Sequence, residues 1–414
     1  MRLPEPLYDL EYGHGSEYGP EEEAAVLALL RAGSPQAARP VEQFEEAFAA
    51  YCGVPHGVAA SSGTAALQLA LTAAGVRPGD EVITTPLSWL STASAATTQG
   101  ASVVFADVDP RTFTLDPDAV ARKLTPRTKA IIAVHLYGQC CDMDALLELA
   151  RPRGIVVVED CAHAPGAEYK GRKAGSMGDI GIYSFGQQKN MGTFGEGGMA
   201  VTCDAGLAER MRSYRWLCCR GYDPQGKYGK LDETERPMGK AYWRLEFDDA
   251  GYNFRMTGLH AAIGLAQLRK LDELNARRIR IAAEYSERLA GVPGLTVPYV
   301  EPWAKHVFHI YCVLLDREFG MSKEDFMWEL ATRKRIRPWS HYMPIHLTAA
   351  YRKHGHREGE CPAAEGLFDR HVSLPIHPRL KPEAVEYLTR SVRELAERGR
   401  TSAASAAGVL RSAQ

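Results

Sequence analysis

IVVVEDCAHAPGAEYKGRKAGSMGDIGIYSFGQQKNMGTFGEGGMAVT, residues Ile155 to Thr202, is the stretch that decides how this chain folds. An apolar run, IVVV, delivers two adjacent carboxylates, Glu159 and Asp160, and then His163. A second run, IGIYSF, contains Ser184, and Lys189 stands five residues beyond that serine. A glycine-rich turn leads into a third run, GMAVT. Short apolar runs bounded by turn residues read as buried strands. The acid and the lysine then fall just past the carboxyl ends of strands, the edge at which open α/β sheets bind ligands.

The same texture extends towards the N-terminus. GVAAS, EVITT, SVVFAD and KAIIAV are further strand candidates, making seven, and TAALQLALTAAG, LSTASAATTQG and ALLELARPRG are helical segments between strands. Buried strands separated by helices predict an α/β fold, a seven-stranded mainly parallel sheet flanked by helices. Before it, Pro20 opens an acidic first turn ahead of AAVLALLRAG, a helix ended by Gly33, and VEQFEEAFAAYCG is a second helix closed by Gly53. After Cys219 comes a polar stretch, Gly221 to Phe247, with no period; loops of that length are uncommon unless functional. FRMTGLHAAIGLAQLRKLDELNARRIRIAAEYSERLAG reads as a long helix linking to a second part that mixes short strands and helices. The predicted organisation is an arm over residues 1–19, a large domain over 20–270, a smaller α+β domain over 271–400, and a small, polar tail over 401–414 that frays.

A chain of 414 residues has room for two or three domains, and 45% hydrophobic with 24% charged residues is ordinary globular composition. The net charge of -2 gives no electrostatic reason to expect nucleic acid or an anionic membrane as partner. No transmembrane span or signal-peptide pattern is present, which places the chain in the cytoplasm. Nine cysteines, two vicinal pairs among them and no C-x-x-C, argue against a disulfide framework and against a structural metal.

The chemistry gathers at the predicted sheet edge. SSGTAAL, Ser61 to Leu67, sits where a strand hands over to a helix, so free backbone N–H groups and the Ser62 and Thr64 hydroxyls can hold a phosphate; a plain helix cap is the competing reading. Trp89, at the exit of EVITT, can stack on a flat heteroaromatic ring or simply pack. A buried Asp160 facing a protonated pyridine nitrogen would keep such a ring an electron sink, with capping as its alternative. His163 lies one helical turn further on, within reach of the same ring. Lys189 has uncharged neighbours in Gln187, Gln188 and Asn190, and a lysine so placed beside a cationic ring has its pKa lowered enough to act as nucleophile and base. Phosphate cradle, aromatic plate, acid, hydroxyl and lysine converge on one edge. That convergence points to Lys189 carrying an aldehyde cofactor as a Schiff base while Asp160 holds the far end of its ring. No Walker loop or G-x-G-x-x-G dinucleotide fingerprint follows an early strand, against a nicotinamide-dependent oxidoreductase.

SSGTAAL, EDCAHAPGA, SFGQQKN, GEGGM, GYNFRMTGLHAAIG, HYMPIHLTAAY and VSLPIHPRL together closely resemble the DegT/DnrJ/EryC1/StrS family of pyridoxal 5'-phosphate (PLP)-dependent aminotransferases, over nearly the whole chain. The resemblance implies the fold-type-I transferase architecture, a homodimer with active sites at the subunit interface, and a pyridoxamine 5'-phosphate form in the half-reaction. It makes Lys189 and Asp160 the catalytic pair, Lys189 as the Schiff-base lysine and Asp160 on the pyridine nitrogen. His163 would lie near the ring hydroxyl and Trp89 on the ring face. Gly63, Thr64, Ala65 and Ser184 would hold the phosphate, and Asn253 would reach the phosphate of the neighbouring subunit. Gln187, Gln188, His341 and His346 are candidate substrate contacts. Some members replace the lysine by histidine and become dehydratases; Lys189 favours amino transfer here.

The acceptor implied is a ring ketone, on a cyclitol or on a nucleotide-linked sugar, with glutamate, glutamine or alanine as donor. The Gln pair before Lys189 and the polar stretch 221–247 look more like the cyclitol branch of aminoglycoside-type antibiotic assembly, with the nucleotide-linked keto-sugar as the alternative and a non-catalytic PLP-binding protein as the remoter one.

Overall fold

The computed structural model describes residues 3–12, 15–32, 38–219 and 245–412. Residues 221–244 of the polar stretch and the helix stop expected at Gly33 lie outside them. All seven apolar runs are strands: β1 (His56–Ala60), β2 (Glu81–Thr84), β3 (Ser102–Phe105), β4 (Thr128–Val134), β5 (Val156–Asp160), then, after a small hairpin of β6 (Glu168–Tyr169) and β7 (Arg172–Lys173), β8 (Ile180–Ser184) and β9 (Gly198–Thr202). They form one seven-stranded sheet in the order β1-β9-β8-β5-β4-β2-β3. The pairs β2–β3, β2–β4, β4–β5 and β5–β8 are parallel, while β9 runs antiparallel to both β1 and β8. Parallel neighbours need a crossover: helix Ser91–Thr97 lies between β2 and β3 and helix Met143–Ala150 between β4 and β5, while β5 reaches β8 through the β6–β7 hairpin. No helix separates β8 from β9, so β9 returns beside β8 in the opposite sense. The lysine lies in that one direct return.

Strand side chains alternate between two apolar layers. Val58, Val82, Ile132, Val158, Ile182 and Ala200 face one layer; Ala59, Ile83, Ile131, Val157, Tyr183 and Met199 face the other. A third core lies under β12 (Tyr311–Leu315) and β13 (His371–Leu374), which with β10 (Leu295–Thr296) make a three-stranded antiparallel sheet; β11 (Ala304–Lys305) extends the β6–β7 hairpin instead. Helix Gly258–Leu289 passes through both parts, contributing Leu271 to one core and Ile281, Tyr285 and Leu289 to the other. The boundary expected at 270/271 therefore falls inside a continuous helix. The last helix runs Pro382–Ser412, so the tail expected to fray from residue 401 continues that helix. Among the described residues no helix is long and apolar enough to cross a membrane.

The N-terminal segment lies across both parts of the molecule. Leu7 N–H donates to the Arg335 carbonyl at 2.9 Å, Arg337 N–H donates to the Leu10 carbonyl at 2.9 Å, and Tyr18 Oη accepts from Phe194 N–H at 3.2 Å.

Candidate active site

The carboxyl edge of the large sheet opens into a cavity of about 1320 Å³, and the strand register explains what faces it. Asp160, the last residue of β5, points into the cavity, while Glu159 before it points to the opposite side of the sheet. Asp160 Oδ1 accepts from Ala162 N–H at 3.1 Å and Oδ2 from the Thr92 hydroxyl at 2.8 Å. Burial pushes its pKa up, against those two donors and the Lys189 ammonium, so a cationic partner at this carboxylate would be strongly favoured.

On the neighbouring strands, Ala60 and Ser184 are both register partners of Gly198, which brings the exits of β1 and β8 side by side. The approach leaves no room for side chains: a Cβ on Gly63 would stand 2.6 Å from Ser184 Cβ, and one on Gly198 would stand 2.2 Å from the Ser62 carbonyl oxygen. Ser62 caps the Gly63–Ala73 helix by accepting from Ala65 N–H at 3.1 Å. The capping reading of this turn is thus present, and it removes Ala65 from the donors expected there; Ala65 does not line the cavity. Gly63 and Thr64 do, at a helix start suited to an anion. The hydroxyls of Thr64 and Ser184 make no hydrogen bond among the described residues, leaving both for a ligand.

Lys189 is half-buried on the cavity wall, and its amine has no hydrogen-bond partner among the described residues. Burial lowers its pKa to about 8, with Asp160 and Glu196 pulling the other way. The flanking Gln187 and Gln188 are exposed and line the same cavity. His163 Nδ1 accepts from Tyr137 N–H at 3.4 Å, so its proton sits on Nε2 and is donated to Tyr342 Oη at 3.2 Å. Burial, Lys189 and His341 hold this imidazole well below its ordinary pKa. Trp89 is 63% exposed and lies on the cavity with its ring 6.1 Å from that of Tyr342, which rules out a core packing role for it. A flat ring with a phosphate at one end and a basic nitrogen at the other has fitting partners here: unpartnered hydroxyls at a helix start, a lone carboxylate, an aromatic plate and a free amine.

Besides Ala65, two expected residues do not line the cavity. Asn253 is exposed, its Oδ1 accepting from Arg255 Nε at 3.2 Å, and it bridges to Trp216. His346 is a correction: it is fully buried away from the cavity, with Nε2 2.7 Å from Glu365 Oε1 and its ring against Phe105. His341 does line the cavity, with Nδ1 2.9 Å from Ser373 Oγ. Sequence reasoning missed Thr92, Tyr342 and Tyr12, all of which line the same cavity. Thr92 carried a weak signal, being one residue past Ser91 at a helix start, and Tyr342 another, following His341 in HYMPIHLTAAY; Tyr12 comes from distant chain and carried none.

The family model of the DegT/DnrJ/EryC1/StrS aminotransferase family matches residues 17–393. The chain is 43% identical over 313 residues to GDP-perosamine synthase of Caulobacter vibrioides, covering 75% of this chain and 78% of that protein. It is 38% identical over 395 residues to the dTDP-3-amino-3,4,6-trideoxy-alpha-D-glucose transaminase of Streptomyces venezuelae, covering 95% and 96%. Among solved structures it is similar to S. venezuelae DesV in complex with a ketimine intermediate, at a TM-score of 0.80, 36% identity and coverage of 91% and 94%. Other structures with the same fold were solved in PLP and PMP forms.

Proposed function

The chain belongs to the DegT/DnrJ/EryC1/StrS aminotransferase family, and we propose that it moves an amino group from an amino acid to the ring ketone of a nucleotide-linked sugar. It is a PLP-dependent transaminase of the α/β fold described above. The observation that carries the acceptor is the activity named for its relatives: one acts in GDP-perosamine synthesis and the other on a dTDP-linked amino sugar. Both favour the nucleotide-linked sugar, kept as the alternative on sequence, over the keto-cyclitol first preferred. The polar stretch that had suggested a cyclitol lies mostly outside the described residues.

Bound PLP supplies an electron sink for the carbon that loses and regains a proton. The residues' roles follow from their surroundings. Lys189, with an amine lowered to about 8, would hold the cofactor covalently and, when its amine is free, would carry the proton at the substrate carbon. Asp160 keeps a proton on the pyridine nitrogen. His163 offers an Nε2–H beside the ring hydroxyl, and Trp89 covers the ring face. Thr64 and Ser184 hydroxyls with the N–H groups of Gly63 and Thr64 hold the phosphate, while Gln187, Gln188 and His341 meet the acceptor. The carboxyl edge of the large sheet forms one wall and residues between Glu324 and Tyr342 form the other. The donor is glutamate, glutamine or alanine.

The proposal includes a homodimer in which Asn253 serves the phosphate of the neighbouring site. Its exposed position outside its own chain's cavity supports this, as do the exposed Trp89, Leu90, Phe194 and Met343. Mixing inactive Lys189→Ala and Asn253→Ala chains tests it: a shared site regains activity in the mixed dimer, because one of its two sites then has both residues intact. If mixing restores nothing, Asn253 acts within its own chain. A cytoplasmic setting completes the reading, in keeping with nine free cysteines.

The acceptor is tested by converting the enzyme to its PMP form with excess donor, removing the donor, and offering nucleotide keto-sugars and keto-cyclitols in turn. Return of the visible PLP band with a nucleotide keto-sugar is the expected result. Return with keto-cyclitols alone overturns it.

A further inference from the structure

The N-terminal arm ends on the lysine turn with no space between them. A Cβ on Gly15 would lie 2.0 Å from the Lys189 carbonyl oxygen and 2.5 Å from the Gln188 carbonyl carbon. Buried Arg278 fixes that contact by donating from Nη2 to the Gly15 carbonyl at 2.8 Å and from Nη1 to the Ile376 carbonyl at 3.1 Å. Between the anchor at Leu10 and the contact at Gly15, Tyr12 reaches the cavity.

From Tyr12 a chain of buried polar groups leads back to the lysine. Tyr12 Oη is 3.3 Å from His309 Nε2, and His309 Nδ1 is 3.0 Å from Asn190 Oδ1. Asn190 follows Lys189 directly. Its amide nitrogen is committed to Asn275 Oδ1 at 3.0 Å and to the Val307 carbonyl at 3.2 Å. Asn190 Oδ1 is therefore the acceptor and His309 donates from Nδ1, which leaves Nε2 as an acceptor that, among the described residues, only the Tyr12 hydroxyl serves. The hydrogen bonds run in one direction, Tyr12 to His309 to Asn190. The His309 ring also lies 4.3 Å from the ring of His163.

We propose that Tyr12, His309 and Asn190 act as one positioning unit, through which the N-terminal arm sets the placement of Lys189 and the tautomer of the imidazole beside it. None of the three need touch a reacting atom. The charges around the unit make its tautomer matter: His309 faces His163, Lys189, Arg278 and His341, and Lys189 also faces Asp160 and Glu196. A proton on His309 would be repelled by two of these cations and lose its hydration, so Nε2 needs a neutral donor. Removing the Tyr12 hydroxyl leaves that buried nitrogen bare or invites the ring to turn, and either change is transmitted to Asn190 and to the charge seen by Lys189.

The inference rests on Lys189 being the cofactor lysine. The test is Tyr12→Phe in the PLP-loaded enzyme, read by the pH midpoint of the cofactor's visible absorption as well as by kinetics. Cofactor is retained, the midpoint moves by about one pH unit, and kcat falls about tenfold with KM little changed. Asn190→Ser shifts the midpoint too, and the two shifts combine to less than their sum because they act on one unit; if Asn190→Ser does not fold, His309→Gln replaces it in the cycle. An unshifted midpoint with unchanged kcat in Tyr12→Phe, or fully additive shifts, overturns the proposal. Failure of the underlying assignment looks different: Lys189→Ala would then keep a borohydride-reducible visible band.

Discussion

Glu159 and Asp160 are consecutive, both buried, and both carboxylates, yet the two faces of β5 put them to opposite uses. Glu159 accepts from His135 Nε2 at 2.8 Å and from the backbone N–H groups of Gly175, Met177 and Gly178 at 2.8, 2.7 and 2.6 Å. Burial alone would raise its pKa, but the His135 and backbone donors outweigh it and the net shift is downward. Asp160 has two donors, faces the cavity, and is shifted upward by burial. A carboxylate whose lone pairs are filled by the protein is holding the fold together. One left short of donors is available to a ligand. The difference lies in what each face of the strand presents, and it is invisible in the dipeptide.

The largest effect expected on the cavity face is at Lys189. Lys189→Ala should lower multiple-turnover transamination by at least ~10³-fold and abolish the borohydride-reducible band, since nucleophile and proton carrier are lost together. Near-normal turnover would end the contrast between the two faces. The lysine also gives a pH test. Its folded pKa is depressed to about 8, so the neutral, nucleophilic amine is abundant above that value and is lost as pH falls through it. Recombination of the apoenzyme with PLP should therefore slow with a midpoint near pH 8; a midpoint near the ordinary lysine value would show that burial does not tune this amine.

Asp160→Asn should come next, lowering kcat by ~10²-fold through loss of the charge opposite the ring nitrogen. The apoenzyme should be no less stable to urea, because the substitution removes a buried charge that has few donors. On the other face, Glu159→Gln should invert this pattern. An amide cannot accept all four donors, and breaking the buried pair with His135 should cost about 3 kcal/mol of urea-measured stability, with kcat reduced less than about tenfold. Equal catalytic losses at the two positions would mean that the faces are not separable.

How much of this was legible follows the same division. The seven strands could be read because they are short apolar runs, all but the edge strand β3 largely buried on both faces, and Asp160, Ser184 and Lys189 could be placed because a strand's exit follows directly from its end. The antiparallel sense of β9 was not among the expectations: the connection 185–197 was read only as a glycine-rich turn. Thr92, Tyr12, His309 and Tyr342 were not legible as a site, since their meeting depends on packing between segments far apart in sequence; His309 and Tyr12 are 297 residues apart. The domain boundary at 270/271 failed to mark a break because Gly258–Leu289 is amphipathic throughout and serves two cores in succession.

The smallest effect on activity is expected where resemblance overreached. His341 and His346 sit five residues apart in one motif, and both were candidate substrate contacts. Only His341 faces the cavity. His346 is enclosed, and its partner Glu365 also accepts from the N–H groups of Gly359 and Cys361, at 3.0 and 3.3 Å, so the pair fastens the loop that follows helix Ala349–Arg352 to helix Pro362–Phe368. His346→Ala should cost about 1–3 kcal/mol of stability, through loss of a buried ring and of its bond to the half-buried Glu365, while KM for both substrates stays within about twofold. The asymmetry has a physical origin: after Pro344 the chain turns away from the cavity into a 3₁₀ turn, Ile345–Leu347, in which the Ile345 and Leu347 N–H groups are spent on the Pro86 and Pro344 carbonyls. A raised KM with unchanged stability in His346→Ala would return that histidine to the substrate site.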